Sequence, residues 1–150
     1  MAKILSVDDE PSIVRLVSAT LTARGHEVTG AHSGVEALAI VKSEKPDLIV
    51  LDIMMPGLDG RDVYRRLSAD PGTKDIPVLF LSAIGEFASQ LDTVEMGEAE
   101  YMTKPFSPKE LADQVETMLD PANAAERARR RQSQLSRLRM MVTIMHREHE

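Results

Sequence analysis

The segment Pro46-Asp47-Leu48-Ile49-Val50-Leu51-Asp52 runs through an unbroken apolar stretch and ends on an acid. After Ile53 comes the turn run Met54-Met55-Pro56-Gly57-Leu58-Asp59-Gly60. An apolar run of this length, bounded by turn signals, fits a strand buried on both faces of a parallel sheet. Its last residue then emerges at the carboxyl edge, where open α/β sheets place their chemistry. Ile4-Leu5-Ser6-Val7 is another such run, and it ends on Asp8-Asp9-Glu10. Two strands delivering acids to one edge form a costly arrangement without a cation, because neighbouring like charges resist joint ionisation.

Working outward, short apolar runs alternate with longer amphipathic ones. Strands are expected near 3–7, 26–30, 47–51, 77–82 and 99–102, and helices near 11–24, 34–43, 60–68, 86–96 and 107–119. Strict β/α alternation implies a parallel sheet with helices on both faces. Pro11 suits the first turn of the first helix, Ile13, Val14, Leu16, Val17 and Leu21 supply its apolar stripe, and Gly25 stops it. Ser33 with Glu36, and Ser107 with Glu110, have capping-box spacing, and Pro108 follows the second cap. Asp70–Asp75 reads as an exposed turn region.

The bulk properties narrow the function classes. The 150 residues suffice for one domain with length to spare, and no cysteine is present, which excludes disulfides and thiolate chemistry. No apolar run reaches membrane-spanning length and the N-terminus lacks a secretion pattern, so the expected setting is cytoplasmic with no membrane partner. Residues 1–120 carry 11 Lys and Arg against 21 Asp and Glu, whereas residues 121–150 carry 7 Arg against 3 Glu. The division is therefore an acidic domain over 1–120 and a basic amphipathic tail over 121–150. An acidic body argues against nonspecific nucleic-acid binding by the main domain.

Asp8, Asp9, Asp52, Ser82 and Lys104 all fall at the carboxyl ends of expected strands, so their side chains can converge. Carboxylate oxygens suit Mg²⁺, while a hydroxyl and an ammonium suit phosphoryl oxygens. Such a set has the parts that phosphoryl transfer to a carboxylate requires. Each residue also has a plainer reading. Acids at Asp8-Asp9-Glu10 can decorate a helix N-terminus, Ser82 can be a turn hydroxyl, Lys104 a solvated charge and Tyr101 a core-edge residue. Asp52 is harder to place that way, since a carboxylate after a buried strand needs a partner.

Four motifs occur in order: Val7-Asp8-Asp9-Glu10, the Asp52 strand with Met55-Pro56-Gly57-Leu58-Asp59-Gly60, Leu81-Ser82-Ala83, and Lys104-Pro105-Phe106. Over residues 1–120 the chain resembles the receiver domain of two-component response regulators, and their joint order carries the resemblance. It implies a flavodoxin-like, doubly wound, five-stranded parallel sheet of order 2-1-3-4-5, here with a C-terminal helical extension. It also implies that Asp52 accepts a phosphoryl group from a phosphohistidine on a sensor kinase or phosphotransfer protein. Asp9 and Asp52 would hold Mg²⁺, with Asp8 acting through a water and the Met54 backbone carbonyl as a further ligand. Lys104 would pair with the acids at rest and with the phosphoryl group afterwards. Ser82 would donate to a phosphoryl oxygen and shift inward, and Tyr101 sits where the family keeps a switching aromatic. A cis Lys104–Pro105 bond is expected, which proline permits at low cost. Met54 and Ile84 should border the phosphoryl group, and as apolar residues they predict slow self-hydrolysis of phospho-Asp52.

The resulting expectation is a phosphorylation-controlled binding module, with no substrate beyond Asp52 and only self-phosphorylation and self-dephosphorylation as chemistry. It would switch a surface on the fourth helix and fifth strand. The alternatives are an aspartate-nucleophile phosphatase, which would need a lid that these short loops do not supply, and a structural module working through its tail.

In the tail, Asn123-Ala124-Ala125-Glu126 has a capping-box pattern, and Ala124, Ala128, Leu135, Leu138, Val142 and Met145 follow a/d spacing that Arg131 interrupts. Met141 and Ile144 widen the stripe. Such a helix is expected to pack on its own receiver, a second copy or a partner, with a homodimer contact through the helix or the fourth-helix/fifth-strand face preferred. Arg127, Arg129, Arg130 and Arg131 form a basic cluster, but 30 residues hold no helix-turn-helix-sized module, so DNA is not the expected partner. His26 and His32 look like edge or surface residues. His146 and His149 lie one helical turn apart without a completing ligand.

Overall fold

The computed structural model describes residues 2–83, 85 and 99–148; the helix expected near 86–96 and Ile84 lie outside them. Five parallel strands, β1 (Lys3–Val7), β2 (Glu27–Ala31), β3 (Leu48–Leu51), β4 (Val78–Ala83) and β5 (Glu100–Lys104), form one sheet of order β2-β1-β3-β4-β5. The sheet order and class agree with the sequence expectation. The helices among the described residues are α1 (Pro11–Thr22), α2 (Gly34–Glu44), α3 (Gly60–Ala69), α4 (Pro108–Leu119) and α5 (Ala124–Glu148).

The apolar run of β3 is explained by its two faces. Leu48 and Val50 pack with Val17, Leu21, Leu111 and Val115 from α1 and α4. Ile49 and Leu51 pack with Ala37, Val41, Val63 and Leu67 from α2 and α3. Alternation with period two sends successive residues into opposite cores, so a strand covered on both faces has no polar position. Each such side chain stabilises the fold by roughly 1.5–3 kcal/mol.

Helix ends follow local chemistry, with some departures. Ser33 Oγ accepts from the Glu36 N–H, but Glu36 Oε2 accepts from the His32 N–H and not from Ser33, so the box reaches one residue further back. Asp59 and Asp62 form a complete capping box at α3 that the sequence reading did not single out. Leu16 is 42% exposed, against the expectation that it joins the α1 stripe; Val14, Val17 and Leu21 hold that face. At about 100° per residue, Leu16 projects away from the direction those three share.

The tail is joined to α4 through a 3₁₀ turn, Pro121–Asn123, whose first turn is capped by the Asp120 carboxylate accepting from the Ala122 N–H. From there α5 folds back onto its own body. Leu135, Leu138 and Val142 are buried in the core that contains Tyr101, Ala99 and Phe80. The apolar stripe expected to seat a homodimer is therefore occupied within the chain. Ala124, Ala128, Met141 and Ile144 stay exposed, and Met145 is half-buried.

Gly60, at the first position of α3, lies so close to the Asp52–Ile53 backbone that a Cβ there would overlap the Asp52 carbonyl oxygen. Because the obstacle is backbone, Gly60→Ala should destabilise the protein by about 1–3 kcal/mol, read as a lowered urea midpoint.

Candidate phosphoryl-acceptor site

Register brings the site together. Val7 is level with Leu51, so the next residues of those chains, Asp8 and Asp52, leave the sheet side by side. On the other side of β3, Ser82 is level with Thr103 and Ala83 with Lys104. The adjacent strands β4 and β5 thus carry a hydroxyl and an ammonium to the same edge as the acids.

Asp52 is 2% exposed and Asp8 is equally buried, whereas Asp9 is exposed. Lys104 Nζ lies 2.8 Å from Asp8 Oδ2 and 3.9 Å from Asp52 Oδ2. Asp8 Oδ1 accepts from the Glu10 N–H at 2.9 Å, which orients the acid at the start of α1. Ser82 Oγ is fully buried, donates to Asp52 Oδ1 at 2.7 Å and accepts from the Ile53 N–H at 2.8 Å. The hydroxyl expected to meet a phosphoryl oxygen thus touches the Asp52 carboxylate itself. The Met54 N–H faces Asp52 Oδ1 at 3.4 Å, and the Met54 side chain is 42% exposed at the mouth. The Lys104–Pro105 bond is cis.

Asp8, Asp9 and Asp52 each present a carboxylate oxygen, and these oxygens lie within 4.8 Å of one another. Hard oxygen donors so spaced fit a small divalent cation such as Mg²⁺. The exposed Asp9 supplies the open side, and the buried pair supplies charge that a single ammonium balances only in part.

Tyr101 stands apart from the acids. It is buried under α5, and its hydroxyl donates to the Arg131 carbonyl at 3.1 Å. Arg131, which seemed to interrupt the apolar stripe, is part of the seat, because its Nε donates to the Ala99 carbonyl at 3.2 Å. Sequence reasoning also missed Glu100, a buried carboxylate held by Arg127 Nε at 2.9 Å and Gln114 Nε2 at 3.4 Å. Its position inside a short strand was the available signal, since a carboxylate there requires a partner. On the surface of α4, the Asp113 carboxyl is held below the usual carboxylate range, first by the hydrogen bond from Lys109 and then by that from Arg24. His26 is half-buried, with Nδ1 accepting from the Ala2 N–H, and His32 is exposed.

The family model for the response regulator receiver domain matches residues 4–116. The chain belongs to the response regulator receiver family. Among its relatives, the probable transcriptional regulator ycf27 of Porphyra purpurea is 45% identical over 121 residues, covering 81% of this chain and 49% of that protein. The DNA-binding dual master transcriptional regulator RpaA of a Synechocystis species is 40% identical over 119 residues, covering 79% and 49% respectively. A solved structure of a response regulator from Chloroflexus aurantiacus superposes with a TM-score of 0.73 at 35% identity, covering 79% of this chain and 97% of that one. The receiver spans about half the length of the curated relatives it matches.

The matched relatives are transcriptional regulators by name, which lends no support to a substrate-turning phosphatase. The expectation against DNA as a partner is likewise unsupported, because matched relatives are transcriptional regulators and one is DNA-binding by name. No helix among the described residues is long and apolar enough to cross a membrane.

If Asp8 and Asp52 repel across this pocket, Asp52→Asn should raise the urea midpoint in the absence of divalent ions. Mg²⁺ should stabilise the unmodified protein and do so far less for the variant, measured as the shift in midpoint on adding MgCl₂.

Proposed function

We propose that this receiver accepts a phosphoryl group on Asp52 from the phosphohistidine of a sensor kinase or phosphotransfer protein, and thereby alters a binding surface. The observation that carries the reading is the convergence of Ser82 and Lys104 on the buried Asp52 carboxylate. In the transfer, an Asp52 oxygen attacks phosphorus, the P–N bond breaks, and the imidazole departs with the bonding electron pair. An acyl phosphate results. Ser82 holds Oδ1, which fixes the rotation of the carboxylate and orients it for attack. Lys104 is placed to exchange its contact with Asp8 for one with a phosphoryl oxygen, since its ammonium is a mobile point charge on a flexible stem. A Mg²⁺ held by Asp9, Asp52 and the Met54 carbonyl, with Asp8 through a water, would neutralise charge on the transferring group. Tyr101 belongs to the surface that responds, on β5.

The test is incubation with a phosphorylated kinase or acetyl phosphate in Mg²⁺, followed by intact mass. A gain of one phosphoryl group is expected, lost in Asp52→Asn and on chelation of the metal. Retention of the label in Asp52→Asn would place the acceptor elsewhere.

Met54 borders this site with an apolar side chain that cannot position an attacking water. Slow self-hydrolysis follows, and Met54→Asn should speed decay of phospho-Asp52 several-fold, followed by the loss of label after donor removal. Fast decay in the unmodified protein, unaltered by the substitution, would contradict this role.

A further inference from the structure

Strand β5 serves two places at once. Its end carries Lys104 into the acid site, and its start lies under the tail, where Tyr101 and Glu100 hold α5. The two are separated by three residues, roughly 10 Å along an extended strand. Among the described residues β5 is also an edge strand, laddered only to β4. One side of it is therefore not restrained by another strand.

The seat of α5 combines a firm anchor with a weaker continuation. Arg127, in the first turn of the helix, meets the buried Glu100 carboxylate, and withdrawing it would leave that charge, among the described residues, with Gln114 alone. Beyond it the helix is held by Leu135, Leu138 and Val142 and by the reciprocal pair Tyr101 Oη to Arg131 carbonyl and Arg131 Nε to Ala99 carbonyl. Gln134 Oε1 is buried in this stretch without a hydrogen-bond partner among the described residues, which weakens the seat. A groove of about 380 Å³ runs between this stretch and α4, with Gln134 and Leu138 on the tail side and Tyr101 and Gln114 opposite. Packing beside the groove is thus incomplete.

We infer that the tail helix is a self-docked cover over the start of β5, and that phosphorylation of Asp52 releases it downstream of the Arg127 anchor. The inference rests on the acceptor reading of Asp52 given above. A phosphoryl group on Asp52 presents new anionic oxygens to Lys104, now 3.9 Å from that carboxylate and 2.8 Å from Asp8. Ser82 on β4 touches the same carboxylate. Movement of both strand ends toward the new charge is transmitted along β5, whose outer side is unladdered, to Tyr101 and the Arg131 carbonyl. Release exposes the Leu135, Leu138 and Val142 stripe and the Tyr101 face together. In the resting state each masks the other, so no output contact can use either.

Brief trypsin pulses read the tail directly, because Arg129, Arg131, Arg137 and Arg139 lie on α5, and backbone held in a docked helix resists cleavage even where the arginine side chains are exposed. Two substitutions report on the seat without a phosphodonor. Leu138→Asp removes a buried contact, and Tyr101→Phe removes only the hydroxyl donated to Arg131. Tail cleavage should rise at least about tenfold in the first and more modestly in the second, with fragments identified by mass and the body intact. Unchanged cleavage in both would overturn the seat itself. The full chain is then equilibrated with acetyl phosphate and Mg²⁺ and split, half for intact mass and half for trypsin. Phosphorylated protein with faster tail cleavage, absent in Asp52→Asn, is the expected result. Phosphorylated protein whose tail is cut at the resting rate overturns the release while leaving the acceptor reading standing. Absence of the phosphoryl adduct overturns both.

Discussion

The Lys104 ammonium, 2.8 Å from one buried carboxylate and 3.9 Å from another, is the contact on which the acid edge depends. Without a cation, two carboxylates this close and this buried would repel one another and weaken the fold. The single ammonium balances one charge of the pair, while Ser82 and the backbone N–H groups of Glu10 and Met54 stabilise the rest by hydrogen bonding. The site is thus held in a state that favours any additional positive charge. The apolar strands around it tolerate this cost because β1 and β3 bury nearly every side chain they carry.

Much of this was legible in the sequence because each strand advertises its own end. The run Leu48–Leu51 admits no polar residue, so Asp52 marks the point at which the chain leaves the core. Asp8 is marked in the same way after Val7, and parallel alternation alone brings both to one edge. What could not be read was which group faces which. Asp8, and not Asp52, makes the shorter contact with Lys104, and that depends on strand twist and side-chain reach. Leu16 was misplaced because apolarity was counted without direction around the helix. The Asp59–Asp62 box was overlooked because an aspartate at the third position departs from the usual Glu or Gln.

The tail shows the opposite failing. Its stripe was correctly judged to need a partner, but periodicity cannot say whether that partner is the same chain. Arg131 looked like a defect in a coiled-coil seam. In the fold it is a ligand of the Ala99 carbonyl, and its own carbonyl receives Tyr101. Glu100 and Arg127, 27 residues apart, make a charge pair that no local pattern announces. Contacts across such separations are settled by topology. The 3₁₀ turn after Asp120 provides that topology, since it redirects the helix back across β5.

Lys104 and Asp8 are 96 residues apart in the chain, and every strand but β2 lies on the route that joins them across the sheet. A partly assembled chain, whether emerging from the ribosome or opened by heat, therefore has the acids without their counter-charge. If Asp52 is the acceptor, as proposed above, competence to receive a phosphoryl group depends on the finished sheet. On that reading, a mixture of folded and damaged copies would respond through the folded ones alone.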